Sequence, residues 1–173
     1  MDFTLLEKGI WLGCAGVGFA VLFNVPRRTL GIIYIIAALG GLLKFFLISQ
    51  EVGLVFAALC GASSIGFFSV LAAHYRKAPP MTFALPALIP MIPGLFAYKA
   101  MVGVIELTGE KDPEIYTNLF FETVNNGLKA LFIILALAAG VAIPLLISRK
   151  ETVKRIKVDP VLEKQIETLD EEI

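Results

Sequence analysis

"LPALIPMIPGLFAYKAM", residues 85–101, places Pro86, Pro90 and Pro93 inside a long apolar run and follows them with Gly94, Tyr98 and Lys99. Spaced by four and three, the prolines would share one face of a continuous helix. Each lacks an amide proton, so the carbonyls of Thr82, Pro86 and Ile89 lose their usual partner four residues on. An interior proline costs about 3 kcal/mol relative to alanine. Three in succession therefore predict an interrupted helix, and Gly94 permits the turn or close backbone approach an interruption needs. The reading is two half-helices meeting near Pro93-Gly94.

The surroundings of that break follow from composition. Of 173 residues, 57% are hydrophobic and 17% charged, with a mean hydropathy of +0.81. Ordinary globular domains are about 45–50% apolar and about 25% charged, so the solvent here is at least partly lipid. A net charge of zero argues against nucleic acid, which selects clustered Lys and Arg. Cys14 and Cys60 fall inside apolar runs and read as small core residues rather than a disulfide or metal pair. Neither a metal nor another cofactor is implied. Asp2 and Glu7 stand where a secretory leader would need basic residues.

A bilayer crossing needs about 20 apolar residues. Five stretches qualify: Leu5–Phe23, Thr29–Ile48, Val52–Ala73, Met81–Ile105 and Gly127–Ile147. None alternates with the period of two that a membrane barrel requires. The expected fold is an all-α integral membrane bundle of about five helices, the fourth broken by proline. Residues 1–148 form the transmembrane domain and 149–173 a cytoplasmic tail. Arg27 and Arg28, Arg76 and Lys77, and the basic cluster from Arg149 to Lys157 all fall on one side of a five-span chain. The bias of Lys and Arg toward the cytoplasm then places the N-terminus outside and the C-terminus inside.

Asp112-Pro113 reads as a helix start. It opens either an amphipathic interfacial helix through Asn126 or an extension of the last span. The interfacial version would turn Ile115, Leu119, Phe120 and Val124 toward the membrane and Glu114 and Glu122 away from it. Asp159-Pro160 repeats the signal, and Leu162, Ile166, Leu169 and Ile173 follow as one apolar stripe. Small residues recur every four positions: Gly9 and Gly13, Ala37 and Gly41, Ala58, Ala62 and Gly66, Ala136 and Gly140. In lipid, close approach through small residues is how helices gain packing energy. So much small-residue surface points to an oligomer or a partner subunit as well as to the bundle itself.

Within lipid, irregular backbone persists only where protein or a watery cavity surrounds it. Counted from the ends of the fourth span, the break falls near mid-bilayer. Secondary transporters build substrate sites from such breaks. The free amides from Gly94 to Phe96 carry the positive end of the second half-helix and suit a carboxylate. Lys99, on that half-helix, is a functional candidate because an intramembrane charge is expensive. The plainer readings are a packing kink and a Lys99 that snorkels to the interface. Snorkelling accounts better for Lys44 and Lys129, nearer the span ends. His74 reads as incidental. Asn125 and Asn126 either line a path or mark a helix end before Gly127.

"FAVLFNVPRR" (residues 19–28) and "PALIPMIPGLFAYKAM" (86–101) together resemble the threonine/serine exporter family, and more narrowly the small membrane subunit of its split, two-component members. Pro86, Pro90, Pro93, Gly94 and Tyr98 fall in the family's signature segment, and Asn24, Pro26, Arg27 and Arg28 in its first-loop segment. The resemblance covers nearly the whole membrane region. It implies a bacterial inner-membrane exporter of small carboxylate-bearing metabolites, either threonine- and serine-like amino acids or a dicarboxylate such as succinate. It also implies a second, separately encoded membrane subunit. The lack of a phosphate-binding loop of the Walker type makes proton-motive force the expected energy source. The competing reading is a structural or assembly subunit with no substrate site. An enzyme is disfavoured: one His and no clustered carboxylates within the spans leave little for acid–base or metal chemistry.

Overall fold

The computed structural model describes residues 3–153, with side chains from Leu5 to Ser148. Six α-helices and no strands occur among the described residues: α1 (Phe3–Leu22), α2 (Leu30–Ser49), α3 (Leu54–Arg76), α4 (Met81–Leu88), α5 (Gly94–Gly109) and α6 (Pro113–Val153). Helices α1, α2, α3 and α6 are each long and apolar enough to cross a membrane. Helices α4 and α5, bent against each other at a short break, pass the same test together, as one broken span or a re-entrant loop, which gives four candidate crossings or five. The all-α membrane fold is as expected.

The short connections are closed by one device. Asn24, Glu51 and Lys77 each adopt a left-handed conformation, with φ of 54°, 60° and 50°. The next residue's amide then reaches back to a carbonyl in the last helical turn: Val25 to Ala20 at 3.0 Å, Val52 to Leu47 at 3.1 Å, Ala78 to Ala73 at 3.3 Å. This is the Schellman closure, in which a left-handed residue lets carbonyls stranded at a helix end find donors. Asparagine tolerates that conformation better than most side chains. Asn24 is thereby accounted for locally, and Pro26 after it prevents the helix from resuming at once.

The 113–126 segment is not a separate interfacial helix. Helix α6 runs unbroken for 41 residues. The start signal is real: the Glu114 amide donates to Asp112 Oδ1 at 2.9 Å, and the Tyr116 amide donates to the Asp112 carbonyl at 2.9 Å. Gly127 alone weakens a helix by only about 1 kcal/mol, too little to end one packed on both sides of it. The apolar residues assigned to a membrane face, Ile115, Phe120 and Val124, are exposed, whereas Thr123 and Asn126 are buried. The tail's Asp159-Pro160 signal and its apolar stripe lie outside the described residues.

Helix α6 presents one stripe, Leu119, Thr123, Asn126, Ala130, Ile133, Leu137 and Val141, at alternating steps of mostly four and three. Helix α5 covers its first half and α3 its second. The seam with α3 is close. A Cβ built on Gly140 would stand 2.7 Å from the Leu59 carbonyl oxygen and 2.8 Å from Ala62 Cβ. One on Gly66 would stand 3.0 Å from the Val141 carbonyl oxygen. The small-residue ladders therefore serve contacts within the chain, as backbone approach in lipid requires. Helix α4 sits against α1, α2 and α3, with Phe83 and Pro86 fully buried among them. Cys14 is exposed rather than in the core, and Cys60 is half-buried; neither is bonded to the other.

At one end of the bundle the 23–26 loop, the turn at Lys77–Pro80 and the α6 residues up to Ser148 come together around Met81. The basic connections at Arg27-Arg28 and Arg76-Lys77 thus share a single end.

Candidate functional site

The proline segment folds as two half-helices bent by 52°. Helix α4 tightens after Leu88 into a single 3-10 turn, Ile89–Met91. Ile92 is extended and Pro93 precedes α5. Prolines cannot donate, so the chain closes on shorter bonds. The Ile92 amide donates to the Ile89 carbonyl at 3.0 Å, and the Gly94 amide to the Ile92 carbonyl at 2.9 Å. The Ile89 carbonyl, expected to be stranded, is therefore satisfied. The Gly94 amide is likewise consumed, leaving the Phe96 amide without a bond to the Ile92 or Pro93 carbonyl at the start of α5. Gly94 has an ordinary negative φ, and a Cβ there would meet nothing within 4 Å. Neither a turn nor a close approach requires glycine at this position.

The carbonyl opposite the break is held by a residue from another helix. In an unbroken helix the Met91 carbonyl would accept from Leu95. Here it accepts from Lys44 Nζ on α2, at 3.1 Å. Lys44 is 9% exposed, so the expectation that it snorkels is wrong. Gly61 on α3 makes room for it. A Cβ on Gly61 would lie 2.7 Å from Met91 Cε, 2.9 Å from the Gly40 carbonyl oxygen and 3.1 Å from Lys44 Cβ. Sequence reasoning passed over Lys44, although Ala37, Gly40, Gly41 and Lys44 fall on one helical face. The signal was a charge continuing a small-residue ladder. Because Met91 packs at Gly61, the break lies ~10 Å of helix rise inside the Leu54 end of α3. Along α3 it is thus nearer the Leu54 end than the middle.

The sequence-predicted residues fall in three places. Asn24 and Pro26 meet Pro86 around a cavity of about 400 Å³ at the basic end of the bundle, also lined by Phe23, Thr82 and Leu85. The two signature segments thus converge, although Arg27 and Arg28 stay exposed. Pro90, Pro93 and Gly94 form the break. Tyr98 and Lys99 are exposed on α5 and line a smaller groove of about 150 Å³ against α6, with Glu106, Glu122, Thr123 and Asn126.

That groove is polar for its position. Thr123 Oγ1 is buried with no hydrogen-bond partner among the described residues, and Asn126 is 8% exposed. Asn126 therefore lines the groove while Asn125 faces outward. Lys129 Nζ lies 5.9 Å from the Phe96 ring centroid, within the range of a cation–π contact. His74 Nδ1 is 2.9 Å from the Val70 carbonyl oxygen of its own helix, and His74 lines a cavity of about 660 Å³ with Lys77, Met81, Leu145 and Ser148. Among the described residues no cluster of His, Cys, Asp and Glu could hold a metal ion.

An uncharacterized protein of Haemophilus influenzae is 36% identical over 142 residues, covering 81% of this chain and 46% of the relative. The chain thus spans about half the length of that relative. No solved structure matches. The family model for the threonine/serine exporter, ThrE, matches residues 9–147. That match takes in the first-loop segment, the broken span and all but the end of α6, and the chain belongs to the threonine/serine exporter family, a family of membrane transporters.

Proposed function

We propose that this chain is one half of a secondary exporter in the bacterial inner membrane. It pairs with a second membrane subunit of the same family and moves a small carboxylate-bearing metabolite, a threonine- or serine-like amino acid or a dicarboxylate such as succinate. Proton-motive force drives it. The N-terminus lies outside, and the basic end of the bundle faces the cytoplasm, as the distribution of Lys and Arg favours. The observation that carries this reading is the break at Pro93, which leaves the Phe96 amide without a bond to the Ile92 or Pro93 carbonyl at the start of a half-helix inside a membrane chain. Such half-helix starts bind anionic groups. Pro86, Pro90, Pro93 and Gly94 shape that site, while Tyr98 and Lys99 border the adjoining groove.

The need for a second subunit is supported by the α5–α6 hairpin, whose apolar residues Leu95, Met101, Ile105 and Phe121 are each at least 65% exposed. The test is export of labelled threonine, serine and succinate from cells, with this chain alone and with a separately encoded membrane protein of the same family. Export with both chains and not with either alone is expected. Failure of every substrate and pairing would leave a structural subunit instead.

A further inference from the structure

Lys44 holds a position that the broken helix explains only in part. An ammonium group carries three donors, and Lys44 uses one of them, on the Met91 carbonyl. A buried charge normally requires a charged partner or several hydrogen bonds. Lys44 is nine-tenths buried, and its one hydrogen bond among the described residues is to a neutral carbonyl. Stapling a kink needs a donor but no charge, and a serine or asparagine would do it at less desolvation cost. The charge has a further partner to meet.

The surroundings give its chemistry. Lys44 holds the Met91 carbonyl on one side of the break, and the Phe96 amide on the other side has no bond to the Ile92 or Pro93 carbonyl. A buried ammonium with donors to spare and a helix start at the positive end of α5 are both donors. They match a group with acceptor oxygens and negative charge. Gly61 keeps a Cβ away from Met91 and Lys44 where α2 and α3 meet.

We infer that Lys44 is the cation that binds the substrate's carboxylate at the helix break, exchanging its hydrogen bond to the Met91 carbonyl for one to the solute. The Met91 carbonyl holds the ammonium when the site is empty, and the carboxylate displaces it when the site fills. Lys99, exposed on the next turns of α5, is not that group. The inference rests on the exporter reading above and assigns its substrate-binding cation.

Lys44→Gln tests it, because the amide can still donate to Met91 but carries no charge. The readouts are abundance in the membrane, the KM for export of labelled L-threonine and of succinate with the second subunit present, and competition by L-threoninamide, which lacks the carboxylate. With abundance unchanged, KM is expected to rise at least tenfold, and the preference for L-threonine over its amide to collapse. An unchanged KM and preference in Lys44→Gln, with the wild type exporting, overturns the assignment and leaves the exporter reading standing. No export by the wild type with either solute overturns both.

If Lys44→Gln does not accumulate, Leu95→Cys in a chain with Cys14→Ser and Cys60→Ala replaces it. L-Threonine should then slow alkylation of that thiol at least threefold and L-threoninamide should not. Equal rates with both solutes overturn the proposal.

Discussion

The two halves of helix α6 face opposite problems. From Ile133 to Val141 it lies against α3 with backbone nearly touching backbone, and Gly140 and Gly66 leave no space for a Cβ. From Leu119 to Ala130 it lies against α5 alone, and the buried positions there include Thr123 and Asn126. Along the second stretch, Gly127 has only an ordinary contact, with Ala100 Cβ 3.7 Å from where its own Cβ would stand. Helix α6 is ~60 Å long by its rise per residue, about twice the hydrocarbon thickness of a bilayer. One half completes a bundle whose complementary surface is within the chain. The other half, with α5, makes a hairpin that buries Thr123 and Asn126 and exposes apolar side chains such as Leu95, Met101 and Phe121.

The largest expected effect separates the halves by a single methyl group at two positions of one helix. Gly140→Ala forces α3 and α6 apart at the Leu59 carbonyl, and overpacking of this kind costs about 1–3 kcal/mol. Gly127→Ala meets only an ordinary contact with Ala100 and gains helix propensity, worth up to about 1 kcal/mol. Thermal denaturation in detergent should show a clear drop for the first and no drop for the second. Equal losses would mean that the hairpin is packed as tightly as the bundle, and the contrast drawn here would fail.

Next comes a change in the hairpin that should leave the fold alone. Lys99 is exposed in the groove, and no bundle helix depends on it. Lys99→Ala should reduce export at least tenfold with abundance within twofold of wild type. Export unchanged by that substitution would remove Lys99 from the solute's path and restrict the site to the break.

Much of this was legible because the signals are local. Span limits follow from hydropathy, and the break follows from prolines whose missing amides act within four residues. The Asp112-Pro113 start reads as well, because its hydrogen bonds close within the same turn. The sequence left the continuity of α6 through Asn126 as one of two readings, because α5 and α3 pack on either side of Gly127 and neither contact is visible in the local pattern. Gly94 misled in the opposite direction: a glycine after proline signals a special conformation, yet its φ is ordinary. Lys44 was hidden by distance, since its partner Met91 lies 47 residues away.

The smallest effects come from two buried hydroxyls, one in each half. Ser69 Oγ in α3 and Thr123 Oγ1 in the hairpin are both buried without a hydrogen-bond partner among the described residues. Leaving such a group unpaired costs about 1–3 kcal/mol, so Ser69→Ala and Thr123→Val should each leave stability unchanged or slightly raised. Function should divide them. Ser69 is enclosed by the bundle, with 0% exposure, and its loss should leave export untouched. Thr123 lines the groove with Lys99 and Asn126, and its hydroxyl is the kind of unpaired group that a solute or a partner helix would satisfy. Thr123→Val should therefore lower export severalfold at full abundance. If both variants export alike, the Thr123 hydroxyl is as inert as that of Ser69, and the groove loses its claim to contact the solute. If only Thr123→Val is impaired, the polar interior of the hairpin serves transport rather than folding.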